Sequence, residues 1–234
     1  MTSTSLHSSS RRVPTPFIDV GSASVRWTGR TEGDLGISAA DPRLDQRRQA
    51  VFAGEWSWCH QVHGAGVHVV TSPGSVRGAD GDALVTTVRD APLAIFTADC
   101  APVAFGSANG VAGVAHAGWR GLRAGIVQAT VSAMRDLGAV DVVAALGPCV
   151  RAECYEFGAD ELADVATHLG AGVRGLTSCG RPALDVPAGV IAALADVDVA
   201  LIADAGVCTA CSTAHFSHRA RQDPQRQATV VVLK

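Results

Sequence analysis

Three short segments of this 234-residue chain each place a potential metal ligand or nucleophile beside glycine or at the end of an apolar run: Gln61-Val62-His63-Gly64, Thr97-Ala98-Asp99-Cys100 and His116-Ala117-Gly118-Trp119-Arg120-Gly121. Two imidazoles and a thiolate, from His63, Cys100 and His116, suit zinc and leave a fourth tetrahedral position open to water or a substrate oxygen. The ligands lie too far apart in sequence for a small zinc finger, so the site must be assembled from several elements of one sheet. The same residues allow chemistry without a metal, with Cys100 as nucleophile and His116 as its base. A lone His or Cys at a strand end is more often structural, and only the combination argues for a site.

The elements that must position these groups are legible in outline. From residue 66 the chain breaks into short Val- and Ala-rich runs at 66–71, 82–88, 93–97, 101–106 and 111–115, punctuated by Gly, Pro and Asp, the texture of strands. Leu122, Ile126, Ala129, Ala133 and Leu137 recur at three- and four-residue intervals, which predicts one helix over 120–137 with Gly138 as its stop. Further strands are expected at 141–146, 199–203 and 227–233, and helices near 159–169 and 187–195. Asp41-Pro42 reads as a turn ahead of a short polar helix through Arg47 and Arg48. Strands come in runs rather than alternating with helices, so the expected class is α+β, a mixed-sheet core with flanking helices.

Composition narrows the partners. The apolar fraction is 47% and the aromatic fraction 5%, so the core must be built mainly from Ala, Val, Leu and Ile. A net charge of −3 with no block of like charges argues against a nucleic-acid partner. The chain has neither an 18-residue apolar run nor the apolar stretch of a secretory signal, which predicts a cytoplasmic protein that meets no membrane. Seven cysteines without an export signal fit reduced thiols better than a disulfide framework. Residues 1–12, rich in Ser and Thr, are expected to be a disordered leader, with 13–234 as one catalytic domain. Cys208-Thr209-Ala210-Cys211 has the spacing of half a zinc ribbon, but without a second such pair it reads as two structural thiols. His60 and His63, three apart on an extended strand, would point to opposite faces, which puts His60 outside the cluster.

The chain resembles the bacterial purine nucleoside phosphorylases formerly described as multicopper polyphenol oxidases or laccases, also called peptidoglycan-editing factors. The resemblance runs over about residues 25 to 233. It rests on Gln-Val-His-Gly at 61–64, Ala-Asp-Gly-Asp-Ala-Leu-Val-Thr at 79–86, Thr-Ala-Asp-Cys at 97–100 with Pro102, and His-Ala-Gly-Trp-Arg-Gly at 116–121. It continues through Gly147-Pro148-Cys149, Tyr155-Glu156-Phe157-Gly158, Cys208-Thr209 and Phe216-Ser217-His218-Arg219. It implies zinc on His63, Cys100 and His116, and a fold like that of deamidating necrotizing toxins and cysteine hydrolases. It also implies phosphorolysis of adenosine, inosine, guanosine and methylthioadenosine, with deamination of adenosine. Copper and oxidase activity belong to the older description. The chain departs from the pattern at Asp34-Leu35-Gly36, where the family has Asn-Leu-Gly, and at Gln225-Arg226, where it has Gly-Arg.

These activities assign expected roles. Deamination at purine C6 needs a group that shuttles protons, for which Asp99 is a candidate; as a strand-end carboxylate it could equally be bonded to backbone. Phosphorolysis needs a guanidinium for inorganic phosphate. Arg120, expected near a helix start, is the first candidate, followed by Arg219 and Arg226. Three rivals stand beside this reading: the Cys100–His116 hydrolase or amidase, a copper oxidase of phenols for which eight scattered histidines are few, and a non-catalytic partner in cell-wall assembly.

Overall fold

The computed structural model describes residues 16–37 and 41–234; the expected leader at 1–12 lies outside them. Fourteen strands and six helices follow one another along the described chain. They are β1 (Ile18–Val20), β2 (Ala23–Trp27), α1 (Leu44–Val51), β3 (Ser57–His60), β4 (Val67–Val70), β5 (Arg77–Asp80), β6 (Ala83–Thr86) and β7 (Leu93–Thr97). Next come β8 (Ala101–Gly106), β9 (Ala112–Ala117), α2 (Trp119–Arg123), α3 (Ile126–Asp136), β10 (Val143–Leu146) and α4 (Ala159–Leu169). The last are β11 (Arg174–Leu176), β12 (Pro182–Leu184), α5 (Val186–Ala195), β13 (Ala200–Asp204), α6 (His218–Arg221) and β14 (Gln227–Leu233).

The α+β class holds, but the core is built on two large mixed sheets where one was expected. The first has the order β1-β2-β14-β7-β3-β5 and the second β13-β10-β8-β9-β6-β4, with β11-β12 as a small separate pair. Residue alternation explains the layering. Leu93, Ile95, Val231 and Leu233 of the first sheet pack against Leu84, Ala104, Val114 and Ala145 of the second. Their neighbours Ala94, Phe96, Val230 and Val232 face outward onto Leu35, Val51 and Trp56, beneath α1. On the far side, Val85, Val103, Phe105 and Ala115 bury against Ile126, Val131, Leu162 and Val190 of the helices. Strands covered on both faces carry continuous apolar runs, so their sequence does not say how many sheets they form. The sheets touch at Gly106, where a Cβ would lie 1.8 Å from the Val20 carbonyl oxygen.

The helix expected over 120–137 is two helices. Gly125, at φ +84°, breaks it, and α3 starts with a new phase. The buried face of α3 is Ile126, Val127, Thr130, Val131 and Met134, while Ala129, Ala133 and Leu137 are only partly covered. The left-handed glycine lets α2 follow directly on β9 before the chain turns to lay α3 along the sheet.

Candidate functional site

The first sheet's strands β3, β5 and β7 run parallel as neighbours, in the order β7-β3-β5. Each then hands the chain to a strand of the second sheet: β3 to β4, β5 to β6, and β7 to β8. The three crossings therefore fall at one edge. His63 lies in the first, Asp82 in the second and Cys100 in the third, while His116, near the end of β9, pairs with Pro102 across the ladder. Gln61 fixes the first crossing by taking over the β7 ladder where β3 leaves it, its side-chain amide donating to the Phe96 carbonyl at 2.8 Å and accepting from the Phe96 N–H at 2.9 Å.

The donor atoms of His63, Cys100 and His116 lie within 4.8 Å of one another. The Cys100 sulfur is 3.8 Å from His63 Nε2, and the two imidazoles meet edge to face at 4.7 Å. His116 is buried, Cys100 partly buried and His63 exposed at the rim, so the cluster opens to solvent on the His63 side. His63 sits beyond the end of β3 at φ +60°, so the strand argument that separated it from His60 does not apply. His60 is instead drawn aside by Asp80, 2.8 Å from its Nδ1.

Asp82 organises the cluster. It is fully buried, and its carboxylate accepts backbone N–H groups from Val62, His63 and Gly64 at 3.3, 2.9 and 2.7 Å. It also meets His116 Nδ1 at 2.8 Å, leaving Nε2 to face the cluster. Burial opposes the charge on Asp82, but His116 and the N–H groups of Gly64 and His63 outweigh it and hold the carboxyl below its ordinary range. The same balance acts on the other members. Burial disfavours the Cys100 thiolate, yet His116 and His63 bring it down to about 6; burial disfavours the His116 cation, yet Cys100 and Asp82 raise it to about 9. Without a metal, the pair is a thiolate beside an imidazolium.

The cluster forms the floor of a cleft of about 720 Å³. Phe96, Trp119, Tyr155 and Phe157 supply aromatic walls, and Arg219, Arg226 and His218 supply polar ones. Burial, followed by the nearby Cys100, pushes the Tyr155 hydroxyl up to about 12, so it is a neutral donor at physiological pH. Asp99, at φ +98°, accepts from Thr209 Oγ1 at 2.7 Å and from the Arg219 N–H at 2.6 Å, one donor on each oxygen. Arg219 reaches over the Tyr155 ring at 4.8 Å and donates to the Glu156 carbonyl at 2.6 Å. Arg120 is placed differently from the expectation: it is exposed, lies 4.3 Å over the Trp119 ring and does not line the cleft. Its helix, α2, is only five residues long, too short for the anion-binding terminus expected there.

Asp34 and Arg226, from the two segments that depart from the motif pattern, meet in space. Asp34 Oδ1 accepts the Arg226 N–H at 2.9 Å, and the Leu35 N–H donates to the Arg226 carbonyl at 3.0 Å. Gly36, Ile37 and Arg226 then form one stretch of the cleft wall. Sequence reading overlooked Asp82, Gln61 and Thr209. The available signal was Asp82's place in the 79–86 string, an acid flanked by Gly81 and a buried apolar run, where an uncompensated charge would not be tolerated.

Gly118 offers a test of how tightly the cluster is built. A Cβ there would lie 3.0 Å from His63 Cδ2 and 3.2 Å from the Cys100 sulfur. Gly118→Ala is expected to splay the two side chains and weaken the binding of a metal ion added to this cluster roughly tenfold, as losses of ligand orientation do. Competition with a chromophoric chelator reads this directly, and unchanged affinity would show that the donors tolerate the displacement.

Comparison with known proteins gives the family and supports the fold. The sequence profile of the family described as multi-copper polyphenol oxidoreductase laccase matches residues 30–234. A Streptomyces coelicolor protein named purine nucleoside phosphorylase is 42% identical over 209 residues, covering 88% of this chain and 86% of that one. Among solved structures, the Bacillus licheniformis hypothetical protein YfiH shares the fold with a TM-score of 0.80 at 24% identity, covering 91% of this chain and 93% of its own. A Neisseria meningitidis protein aligns with a TM-score of 0.79 at 26% identity, over 95% and 97% of the two chains.

Proposed function

Because the chain belongs to the family described as multi-copper polyphenol oxidoreductase laccase, and relatives across most of its length are named purine nucleoside phosphorylase, we propose that it is a zinc-dependent purine nucleoside phosphorylase with adenosine deaminase activity. The observation that carries the reading is the convergence of His63, Cys100 and His116 within 4.8 Å on the floor of an aromatic cleft. One buried imidazole oriented by a carboxylate, one thiol already held as thiolate and one exposed rim imidazole are a fitting donor set for zinc. Bound there, zinc would supply a Lewis acid with a coordination position facing the cleft. A laccase needs several copper ions with many histidines, and the described residues bring only two imidazoles to this cluster.

The rest of the chemistry belongs to the cleft. A purine ring finds flat partners in Trp119, Tyr155 and Phe157, the last two 5.4 Å apart at their centroids. Phosphate takes Arg219 and Arg226, which line the cleft, as its cations. A phosphate oxygen attacks ribose C1′ as the bond to purine N9 breaks, giving free base and ribose 1-phosphate. Asp99 holds the Arg219 segment in place through its bond to that residue's N–H; as a proton shuttle it would use the second lone pair that each oxygen keeps beside its one donor. The substrates are adenosine, inosine, guanosine and methylthioadenosine, and residues 13–234 act as one catalytic unit in the cytoplasm, with the necrotizing-toxin and cysteine-hydrolase likeness belonging to the same reading. No helix among the described residues is long and apolar enough to cross a membrane.

Purified protein given adenosine should release adenine only when phosphate is present, with inosine appearing independently of it. Arg219→Ala should raise the KM for phosphate roughly tenfold or more, since a bidentate charged contact contributes about 1.5–3 kcal/mol, with a smaller change for Arg120→Ala. Adenine release at the same rate without phosphate would replace phosphorolysis by hydrolysis. The thiolate–imidazolium pair of Cys100 and His116 supports one second reading, a cysteine hydrolase or amidase.

A further inference from the structure

The Cys208-Thr209-Ala210-Cys211 segment does not end as a pair of structural thiols. The short 3-10 turn Ala152–Cys154 brings a third sulfur to it, and the ligand atoms of Cys154, Cys208 and Cys211 all lie within 4.8 Å of one another. Cys154 and Cys211 have their sulfurs 3.1 Å apart. All three cysteines are free thiols. Four thiolates or imidazoles around tetrahedral zinc, with bonds of about 2.3 Å to sulfur, place neighbouring sulfurs about 3.8 Å apart, so an ion would need the Cys154 and Cys211 sulfurs to move apart by several tenths of an ångström from their present 3.1 Å. A disulfide would need about 2.05 Å.

The segment is shaped before any ion arrives. The turn closes on itself through the Ser212 N–H to the Cys208 carbonyl at 2.9 Å. Arg221 clamps it from outside, donating to the carbonyls of Thr209 and Ala210 at 2.9 Å each. Cys208 is buried, Cys154 partly buried and Cys211 exposed, which leaves the trio open on one side to a fourth ligand such as water.

We propose that Cys154, Cys208 and Cys211 form a second, structural metal site for a thiophilic d10 cation, Zn²⁺ or Cu⁺, distinct from the His63 cluster. Its donors are shared with no residue of that cluster. Soft thiolate sets select these ions over harder divalent cations. The site would act as a staple. Cys154 immediately precedes Tyr155, which lines the cleft, and Thr209 lies inside the Cys208–Cys211 turn and holds Asp99. An ion on the three sulfurs therefore ties the aromatic wall to the loop that supports the Asp99 corner.

The test uses full-length protein, reduced and stripped of metal, titrated with Zn²⁺ alone and with Cu⁺ alone against a competing chelator. The His63→Ala/His116→Ala variant is expected to retain one equivalent, and Cys154→Ser or Cys211→Ser in that background to abolish it. Cys211→His, which keeps a zinc ligand, should restore Zn²⁺ binding. Loading with Co²⁺ adds a readout independent of activity: the background variant should show a thiolate-to-cobalt charge-transfer band that Cys211→Ser weakens. If the two histidine substitutions unfold the chain, the wild type serves instead, taking up two equivalents and losing one in Cys211→Ser. The proposal is overturned if neither ion binds beyond the His63 cluster, if the extra equivalent survives both cysteine substitutions, or if Cys154 and Cys211 oxidise to a disulfide as readily with metal as without it.

Discussion

Asp82→Asn is expected to reduce zinc affinity at the His63, Cys100 and His116 cluster by roughly 10–100-fold, the range found when a carboxylate behind a ligating histidine is altered. The isosteric amide keeps the volume but presents two donors where the native group only accepts. It must therefore turn an N–H toward either the His116 ring or the 62–64 turn, each of which already donates to this carboxylate. Asp82→Ala is expected to be harsher and to destabilise the metal-free fold by about 3–5 kcal/mol, because it leaves a buried charged partner uncompensated. The Val62, His63 and Gly64 N–H groups also lose their acceptor, at about 1–3 kcal/mol for each that stays dry. Urea unfolding of the metal-free variants, beside zinc competition for Asp82→Asn, separates the two effects. Retention of wild-type zinc affinity in Asp82→Asn would show that His116 needs no carboxylate to serve the cluster.

The second large effect concerns the reactivity of Cys100. In metal-free protein the His116 and His63 imidazoles hold this sulfur as a thiolate at neutral pH despite its burial, with a pKa of about 6. Zinc commits the lone pair of the sulfur, so alkylation of the loaded protein should be slow and should rise by one to two orders of magnitude on chelation, roughly the ratio of free to ligated thiolate reactivity. Iodoacetamide labelling resolved at Cys100 by peptide mass spectrometry, run beside adenosine turnover, distinguishes the metal enzyme from the cysteine hydrolase. Turnover should fall with chelation in step with the rise in labelling, and zinc should restore it. Rapid Cys100 labelling with chelator-insensitive turnover would sink the zinc mechanism and favour Cys100 as a nucleophile with His116 as its base. His63 is informative here because only the metal mechanism gives it a role.

The strands expected from residue 66 onward and the helices at 159–169 and 187–195 fall within a residue or two of their expected bounds, whereas β1, β2, β3, β5, β11, β12 and α6 were not expected. The strands at 93–97, 101–106 and 227–233 and the helix at 159–169 fall where apolar runs and periodicity put them. The helix over 120–137 failed at Gly125, since a glycine inside a periodic pattern does not announce whether it adopts the left-handed conformation that breaks the helix. The arginines were ranked by proximity along the chain. Arg120, close to His116 in sequence, turned outward onto Trp119, while Arg219, more than a hundred residues from Cys100, came to the cleft beside it through the Asp99 carboxylate.

By itself the amino-acid sequence determined the donor types, the family and the local elements with the plainest apolar patterning. His63, Cys100 and His116 stand out because imidazole and thiolate beside glycine are chemically distinctive wherever they occur, and strands and helices follow from short-range patterning. Tertiary structure alone decided that the strands divide into two sheets and that three parallel strands of one sheet cross to the other at a common edge. That arrangement places residues from separate crossings within bonding distance and sets the buried Asp82 carboxylate among them. It also moved Cys154 to the Cys208–Cys211 turn. The physical reason is that strands buried on both faces look alike in sequence, and which of them pair is settled by long-range packing and backbone hydrogen bonding rather than by the residues of any one strand.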